Sequence, residues 1–207
     1  MFNFTVLRLV IKRLLDVILA MVGLAVFSPV LLFCIMMSYW QLGRPIFFTQ
    51  DRLGQDGKIF KIWKFRTMLV NAHHIVQTCP DYSRFYAKNY KIHCSESSLV
   101  PPWGRIMRKT SLDELPQLFN ILKGDMSVVG PRPIVPPEIK KYGPYGRKLL
   151  SVKPGLTGFW QVSGRNKIGY PERISYDMYY IKHKCLSLDF WIMARTVWVF
   201  LTMEGSM

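Results

Sequence analysis

The sequence predicts a mainly helical α+β protein, and three features of the chain support this class. Residues 17–43 contain no charged residue, which predicts an apolar helical segment that enters a membrane. Residues 45–50 and 58–65 alternate like strands around the turn-forming letters LGQDG, which predicts a small β-hairpin. Residues 176–201 are dense in Tyr, Trp and Phe with scattered Lys and Arg. That composition is typical of an amphipathic interfacial helix, with a buried core helix as the alternative.

The apolar run divides the chain into a membrane-inserted part, residues 1–43, and a cytosolic or interfacial part, residues 44–207. Ser28-Pro29 interrupts the run, so we expect a bend whose freed carbonyl accepts a bond from the Ser28 hydroxyl. Residues 17–27 alone would reach about 17 Å, whereas the hydrocarbon core of a bilayer is about 30 Å thick. The run is therefore either a kinked spanning helix or a re-entrant hairpin, and its residues leave both open.

Basic residues flank the apolar run on both sides, with Arg8, Lys12 and Arg13 before it and Arg44 after it. Asp16 follows Lys12 and Arg13 on the same helical face, which predicts ion pairs between them. Because Lys and Arg favour the cytoplasmic side of a membrane, we expect both flanks to lie on that side.

The whole chain is strongly basic. Its 207 residues include 28 Lys and Arg against 13 Asp and Glu, for a formal net charge of +15. Such an excess indicates an anionic partner, which could be nucleic acid, acidic lipid or a phosphorylated substrate, unless it only solvates the surface. The four cysteines show no zinc-site spacing, which favours a reducing, cytosol-facing location.

Two neighbouring carboxylates, Asp113 and Glu114, stand out in this basic chain. The letters from Ser111 to Glu114 match a capping box, so the acids could simply begin a helix that ends at Lys123-Gly124. Pro116 complicates this interpretation because it fits only the first turn of a helix, which favours Asp113 as the cap. In either case we expect the helix start to keep a carboxylate ionised, and an ionised aspartate can attack phosphorus.

The sequence around these acids suits phosphate. Arg108 lies just upstream, the rigid turn Gly130-Pro131-Arg132-Pro133 presents a guanidinium, and Gly-rich loops surround Arg165. Arginine binds phosphate oxygens in a bidentate manner. The combination predicts a diphosphate substrate whose charge is neutralised by arginines and Mg²⁺.

Several long motifs resemble those of the monotopic bacterial phosphoglycosyl transferases, also called bacterial sugar transferases. The matching stretches are KRLLD, SP, FFTQDRLGQDGKIFKIWKFRTM, RKTSLDELPQLFNILKGDMSVVGPRP and KPGLTGFWQVSGRN. They follow the family's order through nearly the whole chain, and only residues 68–98 are weakly covered.

The resemblance implies a membrane enzyme that moves a sugar-1-phosphate from a nucleotide sugar to undecaprenyl phosphate and releases a nucleoside monophosphate. It makes Asp113 the nucleophile and a ligand of Mg²⁺, with Glu114 as its partner. It also favours a re-entrant helix with Ser28 and Pro29 at the bend. The residues that the resemblance assigns to the substrate site are Lys64, Arg108, Pro131, Arg132, Pro133, Arg165 and Asp177.

The same resemblance implies the bacterial inner membrane as the location, with the catalytic part facing the cytoplasm. A UDP-sugar carrying galactose or glucose is the expected donor, for O-antigen, capsule or exopolysaccharide synthesis. We expect a dimer and no nucleic-acid partner. The alternative function is a non-enzymatic, membrane-anchored basic protein that binds anionic lipid or nucleic acid, and it predicts that Asp113→Asn changes nothing.

Overall fold

Helices form most of the chain, and two small sheets complete an α+β architecture, as the sequence predicts. The computed structural model describes residues 4–72, 75, 99–164 and 168–202. The helices are α1 (Phe4–Val26), α2 (Ser28–Leu42), α3 (Pro102–Lys109), α4 (Gln117–Lys123), α5 (Gly146–Leu149), α6 (Phe159–Ser163), α7 (Glu172–His183) and α8 (Leu186–Thr202). The strands are β1 (Phe47–Leu53), β2 (Ile59–Phe65), β3 (Ser127–Val129) and β4 (Gly155–Thr157), and 3₁₀ segments cover Gln55–Gly57, Leu112–Glu114 and Pro136–Tyr145.

The apolar run forms two helices that meet at the predicted bend. Val6–Val26 and Ser28–Leu42 are inclined by 62°. Pro29 has no N–H to donate to the Ala25 carbonyl, and the Ser28 hydroxyl donates to that carbonyl instead at 2.8 Å. Among the described residues, no single helix has the length and apolarity needed to cross a membrane, and only this bent pair passes that test when taken together.

The polar side chains of α1 bind other elements and not one another, so the predicted ion pairs of Asp16 with Lys12 and Arg13 are wrong. Asp16 is 5% exposed and accepts hydrogen bonds from the Ser127 hydroxyl at 3.0 Å and from the Val128 N–H at 2.9 Å. Helical spacing does place the three charges on one face, but that face docks against the protein. Each charge therefore finds a partner from the tertiary structure.

The predicted β-hairpin is confirmed. Strands β1 and β2 pair antiparallel, from Phe47 opposite Phe65 to Leu53 opposite Ile59. Asp56 and Gly57 take positive φ in the turn between them. Because side chains alternate across a strand, the inner face carries Arg52 and Lys64 together with the buried Phe60 and Ile62, whereas Lys61 is exposed.

Helix α4 packs between this hairpin and α1. Ala20 of α1, Phe60 and Ile62 of β2 and Ile121 of α4 share one buried apolar cluster with Met126. This packing places the N-terminal end of α4, and the acids that precede it, beside the inner face of the hairpin.

A buried amide joins α4 to the backbone of β2. The Asn120 side chain is 1% exposed, accepts a hydrogen bond from the Trp63 N–H at 2.9 Å and donates to the Lys61 carbonyl at 2.8 Å. The two bonds satisfy strand groups that would otherwise be unpaired in the core.

Replacing Asn120 with Leu should lower the free energy of unfolding by about 2 kcal/mol, because a backbone donor and a backbone acceptor lose their partners. Thermal unfolding in detergent measures this change. Lys123→Gln is the matched control, since the Lys123 side chain is 71% exposed on the same helix. Equal melting of both variants would contradict the prediction.

The C-terminal aromatic segment is divided between α7 and α8, and its second helix has two faces. Asp189, Ile192 and Val199 are buried, whereas Trp191 and Trp198 are about half exposed. One face therefore belongs to the core, as the buried-helix alternative predicts. The other is apolar and aromatic, as the interfacial alternative predicts.

Candidate active site

The two acids lie in a 3₁₀ turn before α4 and not in its first turn. Ser111 has a φ of 54° and its side chain makes no capping hydrogen bond, so the predicted capping box is wrong. Pro116 directly precedes the first α-helical residue, Gln117, where its missing N–H loses no helical partner. The predicted end of the helix is confirmed at Gly124, which has a φ of 95°.

Asp113 is buried, and the cations around it lie beyond ion-pair distance. The residue is 9% exposed, and its carboxylate takes part in none of the ion pairs found among the described residues. Burial raises the pKa of the Asp113 carboxyl to about 6, although the charges of Lys64, Arg108 and Arg132 lower it. Desolvation, not the helix start, is therefore the main influence on the pKa of Asp113.

Glu114 holds two of these cations in place. Its Oε1 lies 2.5 Å from the Lys64 ammonium nitrogen and 3.6 Å from an Arg132 guanidinium nitrogen. Burial lowers the pKa of Lys64, while the charge of Glu114 raises it. Glu114 thus connects a cation from β2 to a cation from the loop after β3, next to Asp113.

Arg108 reaches the site from α3. Its Nε donates to the Thr67 hydroxyl at 2.9 Å. Helix α3 can approach Thr67 this closely because Gly104 has no side chain, since a Cβ there would lie 2.1 Å from the Thr67 carbonyl oxygen.

Gly104→Ala should displace α3 and move Arg108 away from Asp113. The added methyl group meets backbone, so we expect a loss of about 1–3 kcal/mol in stability and a fall in activity. A chemical denaturation curve and a transfer assay on the same preparation measure the two effects. Arg105→Ala is the control, because Arg105 is exposed on the same helix; an active, fully stable Gly104→Ala protein would contradict the prediction.

The loop that carries Arg132 is held on both sides. The Pro131 carbonyl accepts a hydrogen bond from the Gly155 N–H at 2.8 Å, next to the parallel pairing of β3 with β4. The Pro133 carbonyl accepts one from an Arg52 guanidinium nitrogen at 2.8 Å. The two prolines therefore offer backbone acceptors, and the turn is fixed around Arg132.

Sequence reasoning missed Arg52 as a member of this group. Its charge is among those that lower the pKa of Lys64, and its side chain also donates to Gln50 at 2.7 Å. The alternation of the predicted hairpin could have revealed it, because Gln50, Arg52 and Lys64 lie on one face.

Asp177 does not join the described group. Asp177 is buried, accepts a hydrogen bond from the Tyr142 hydroxyl at 2.8 Å, and has a pKa that burial raises to about 7. The charges of Arg173 and Glu138 act on this pKa, and these two residues form an ion pair at 3.8 Å, so Asp177 belongs to a second polar cluster. Arg165 lies outside the described residues. The substrate-binding roles of both residues stay predictions.

The acids offer a donor set that suits a shared Mg²⁺ ion. Mg²⁺ is usually bound by one or two carboxylates together with substrate phosphates, not by an all-protein cage. Within the described part of the chain, no cluster of three His, Cys, Asp or Glu side chains could hold a metal. The Asp113 carboxylate, which forms no ion pair with a described residue, fits a site in which Mg²⁺ is bound by a carboxylate together with substrate phosphates.

Two carboxylates among several cations form a site suited to an anionic ligand, and this site lies beside the bent apolar helix pair. The family model described as bacterial sugar transferase matches residues 7–203. The chain therefore belongs to the bacterial sugar transferase family.

Three relatives illustrate the similarity. An uncharacterized sugar transferase of Haemophilus influenzae is 40% identical over 95% of this chain and 42% of its own length. The undecaprenyl-phosphate galactose phosphotransferase of Salmonella typhimurium is 38% identical over 95% of this chain and 41% of its own. The exopolysaccharide production protein ExoY of Sinorhizobium fredii is 36% identical over 94% and 87%. The chain thus spans about two fifths of the length of the first two relatives.

Proposed function

We propose that this chain transfers a hexose-1-phosphate from a UDP-sugar to undecaprenyl phosphate in cell-surface polysaccharide synthesis. The observation that carries the proposal is the buried Asp113 carboxylate, with Lys64, Arg108 and Arg132 close enough to influence its ionisation. The name of the Salmonella relative specifies galactose phosphate and undecaprenyl phosphate, which supports the choice of donor and acceptor.

The proposed reaction has two steps. In the first, an Asp113 oxygen attacks the phosphorus next to the sugar, and the bond from that phosphorus to the bridging oxygen breaks, so that UMP leaves. In the second, a phosphate oxygen of undecaprenyl phosphate attacks the same phosphorus. The acyl phosphate bond then breaks, the carboxylate is restored and the lipid carries a diphosphosugar. A covalent intermediate allows a soluble and a lipid substrate to react in turn.

The cations stabilise the charge that develops during both steps. Arg132 and Arg108 can bind phosphoryl oxygens, and the Glu114 carboxylate keeps Lys64 and Arg132 at fixed positions. Mg²⁺ held by Asp113 and the diphosphate would supply further charge neutralisation. The ionised form of Asp113 is the reactive one, so activity should fall as the pH drops through about 6.

A re-entrant arrangement of α1 and α2 in the inner membrane is part of the proposal. Contacts at the two ends support it. Asp16, near the start of the apolar run, is bonded to β3. At the end of α2, Arg66 donates to the Leu42 and Gly43 carbonyls at 2.6 and 2.8 Å. Because both ends bind the same folded part, they belong on the same side of a bilayer, which we take to be the cytoplasmic side.

The transfer reaction is tested by single-turnover chemistry. Protein in nanodiscs is mixed with UDP-galactose or UDP-glucose without lipid acceptor. We expect one equivalent of UMP per active site and an acid-sensitive phosphosugar adduct on Asp113 by mass spectrometry. UMP release only when both substrates are present, with no adduct, would contradict the two-step scheme. Silence with every UDP-sugar would contradict the reaction itself.

The membrane arrangement is tested by cysteine labelling in inverted and right-side-out vesicles. Arg8→Cys and Arg44→Cys, at positions that are both exposed and each in a background without the native cysteines, should react with an impermeant reagent from the cytoplasmic side only. Labelling of the two positions from opposite sides would show a spanning helix.

A further inference from the structure

A charged turn of α1 contacts the two elements that carry the halves of the site. These are α4, which follows the carboxylates Asp113 and Glu114, and β3, which precedes Arg132. Lys12, Arg13 and Asp16 face the folded part of the chain although they precede an uncharged, apolar segment. Ion pairs among these three residues do not explain their presence, since Arg13 binds α4 whereas Lys12 and Asp16 bind β3.

Arg13 binds the C-terminal end of α4. Its two terminal nitrogens donate to the Ile121 carbonyl at 2.6 Å and to the Leu122 carbonyl at 2.8 Å. Carbonyls at a helix C-terminus have no partner within the helix, and a cation is favoured there. Since α4 follows the turn that contains Asp113, Arg13 is connected to the carboxylate half of the site through one short rigid helix.

Asp16 binds β3, which leads directly to Arg132. Both of its hydrogen bonds go to this strand, one to the Ser127 side chain and one to the Val128 backbone. Only two residues separate Val129, the last residue of the strand, from Arg132. Asp16 is therefore connected to the arginine half of the site.

Lys12 completes the attachment to the same strand. Its ammonium group donates to the Val129 carbonyl at 3.2 Å and to Asp189 of α8 at 2.7 Å. The Tyr180 hydroxyl lies 2.8 Å from the other oxygen of Asp189 and 3.1 Å from the Val129 carbonyl oxygen, and its one hydrogen is available to either acceptor. The end of β3 thus contacts polar groups of α1 and α7, which Asp189 of α8 joins to each other.

We propose that Arg13 and Asp16 are positioning residues, through which α1 sets the separation between Asp113 and Arg132. The proposal rests on the function proposed above. Purely apolar packing would hold α1 without defining its axial register, whereas directed bonds to α4 and β3 define one register. A shift by one helical turn would move the contacts by about 5.4 Å, which is far outside the tolerance of a phosphoryl transfer site.

The test measures the first half-reaction in nanodiscs by rapid quench. Arg13→Met and Asp16→Leu should slow the UMP burst by about tenfold to a hundredfold while the burst amplitude and membrane association remain those of the wild type. Asp16→Asn should retain most of the rate, because its amide oxygen can still accept both hydrogen bonds. Arg8→Met is the matched control, since Arg8 is exposed on the same helix.

A double-mutant cycle separates positioning from general stability. If Arg13 acts by positioning Arg132 relative to Asp113, adding Arg13→Met to Arg132→Ala should slow the burst much less than Arg13→Met does alone. Equal burst rates for Arg13→Met and Arg8→Met would overturn the proposal. A lost amplitude with an unchanged rate would overturn it as well, because that result indicates misfolding only.

Hydrogen exchange gives a readout that does not depend on activity. The Val128 amide donates to Asp16, so Asp16→Leu should increase exchange at this amide and at the Gly130 and Arg132 amides, relative to Arg8→Met. Unchanged exchange there would overturn the proposal. A wild-type protein that shows this protection but produces no burst would contradict the proposed reaction and leave the structural role of α1 supported.

Discussion

Asp113→Asn should abolish sugar phosphate transfer and leave a protein that is at least as stable as the wild type at pH 7.5. An amide cannot form the acyl phosphate, so no adduct and no UMP should appear. Burial raises the pKa of Asp113 from 3.8 to about 6, which means that the ionised group is unfavourable in the folded state. Removing its charge should therefore raise the free energy of unfolding by about 3 kcal/mol at pH 7.5.

The pH dependence of this difference has a definite sign. Between about pH 4 and 6 the folded wild-type protein binds the proton of Asp113 more tightly than the unfolded chain does. The contribution of this group to stability is thus fully present below about pH 4 and is lost as the pH rises through about 6. The stability gap between Asp113→Asn and wild type should accordingly close as the pH is lowered to 4.

Denaturation curves at several pH values, together with vesicle binding, measure both parts of this prediction. Asp51→Asn is the control, because Asp51 is exposed on β1. Residual transfer by Asp113→Asn would exclude the residue as nucleophile. The non-enzymatic alternative would be favoured only if the wild-type protein also showed no transfer.

Lys64→Met should reduce transfer by about a hundredfold or more at pH 7. The substitution removes the Lys64 ammonium nitrogen, which lies 2.5 Å from Glu114 Oε1. The longer ion pair of the same oxygen with Arg132, at 3.6 Å, is retained. It also removes the charge that most strongly lowers the pKa of Asp113. The acid limb of the pH–rate profile should therefore move upward from about 6.

Two substitutions make this result specific. Lys61→Met removes an equal charge from the exposed face of β2 and should leave the rate unchanged. Lys64→Arg retains the charge with a larger head group and should keep the acid limb near its wild-type position, although the rate falls. A Lys64→Met profile with an unmoved acid limb would show that Lys64 does not govern the ionisation of Asp113.

Much of the local structure follows from short-range chemistry. Proline chemistry accounts for the bend at Ser28-Pro29, including the hydroxyl bond to Ala25. Alternation and turn residues account for the β1–β2 hairpin, and Gly124 accounts for the end of α4. In each case the interactions that determine the local structure lie within a few residues of one another, so the structure can be predicted from the sequence.

The failed and missed predictions concern backbone geometry and side-chain partners that local spacing does not determine. Ser111 matches a capping pattern but has left-handed backbone geometry. Asp16 binds Ser127 and Val128, which lie more than a hundred residues away. Arg52 joins the site only because the hairpin aligns it with Lys64 on the inner face. Local spacing contains no information on such contacts.

The amino-acid sequence alone thus establishes which chemical groups form the candidate site, namely two carboxylates among arginines and lysines. It also establishes the local bends and turns on either side of that site. Packing alone establishes the ionisation of Asp113 and the partners of each cation, because desolvation and Coulomb energy depend on the atoms that surround a charge in three dimensions. A residue's neighbours in the sequence do not specify those atoms.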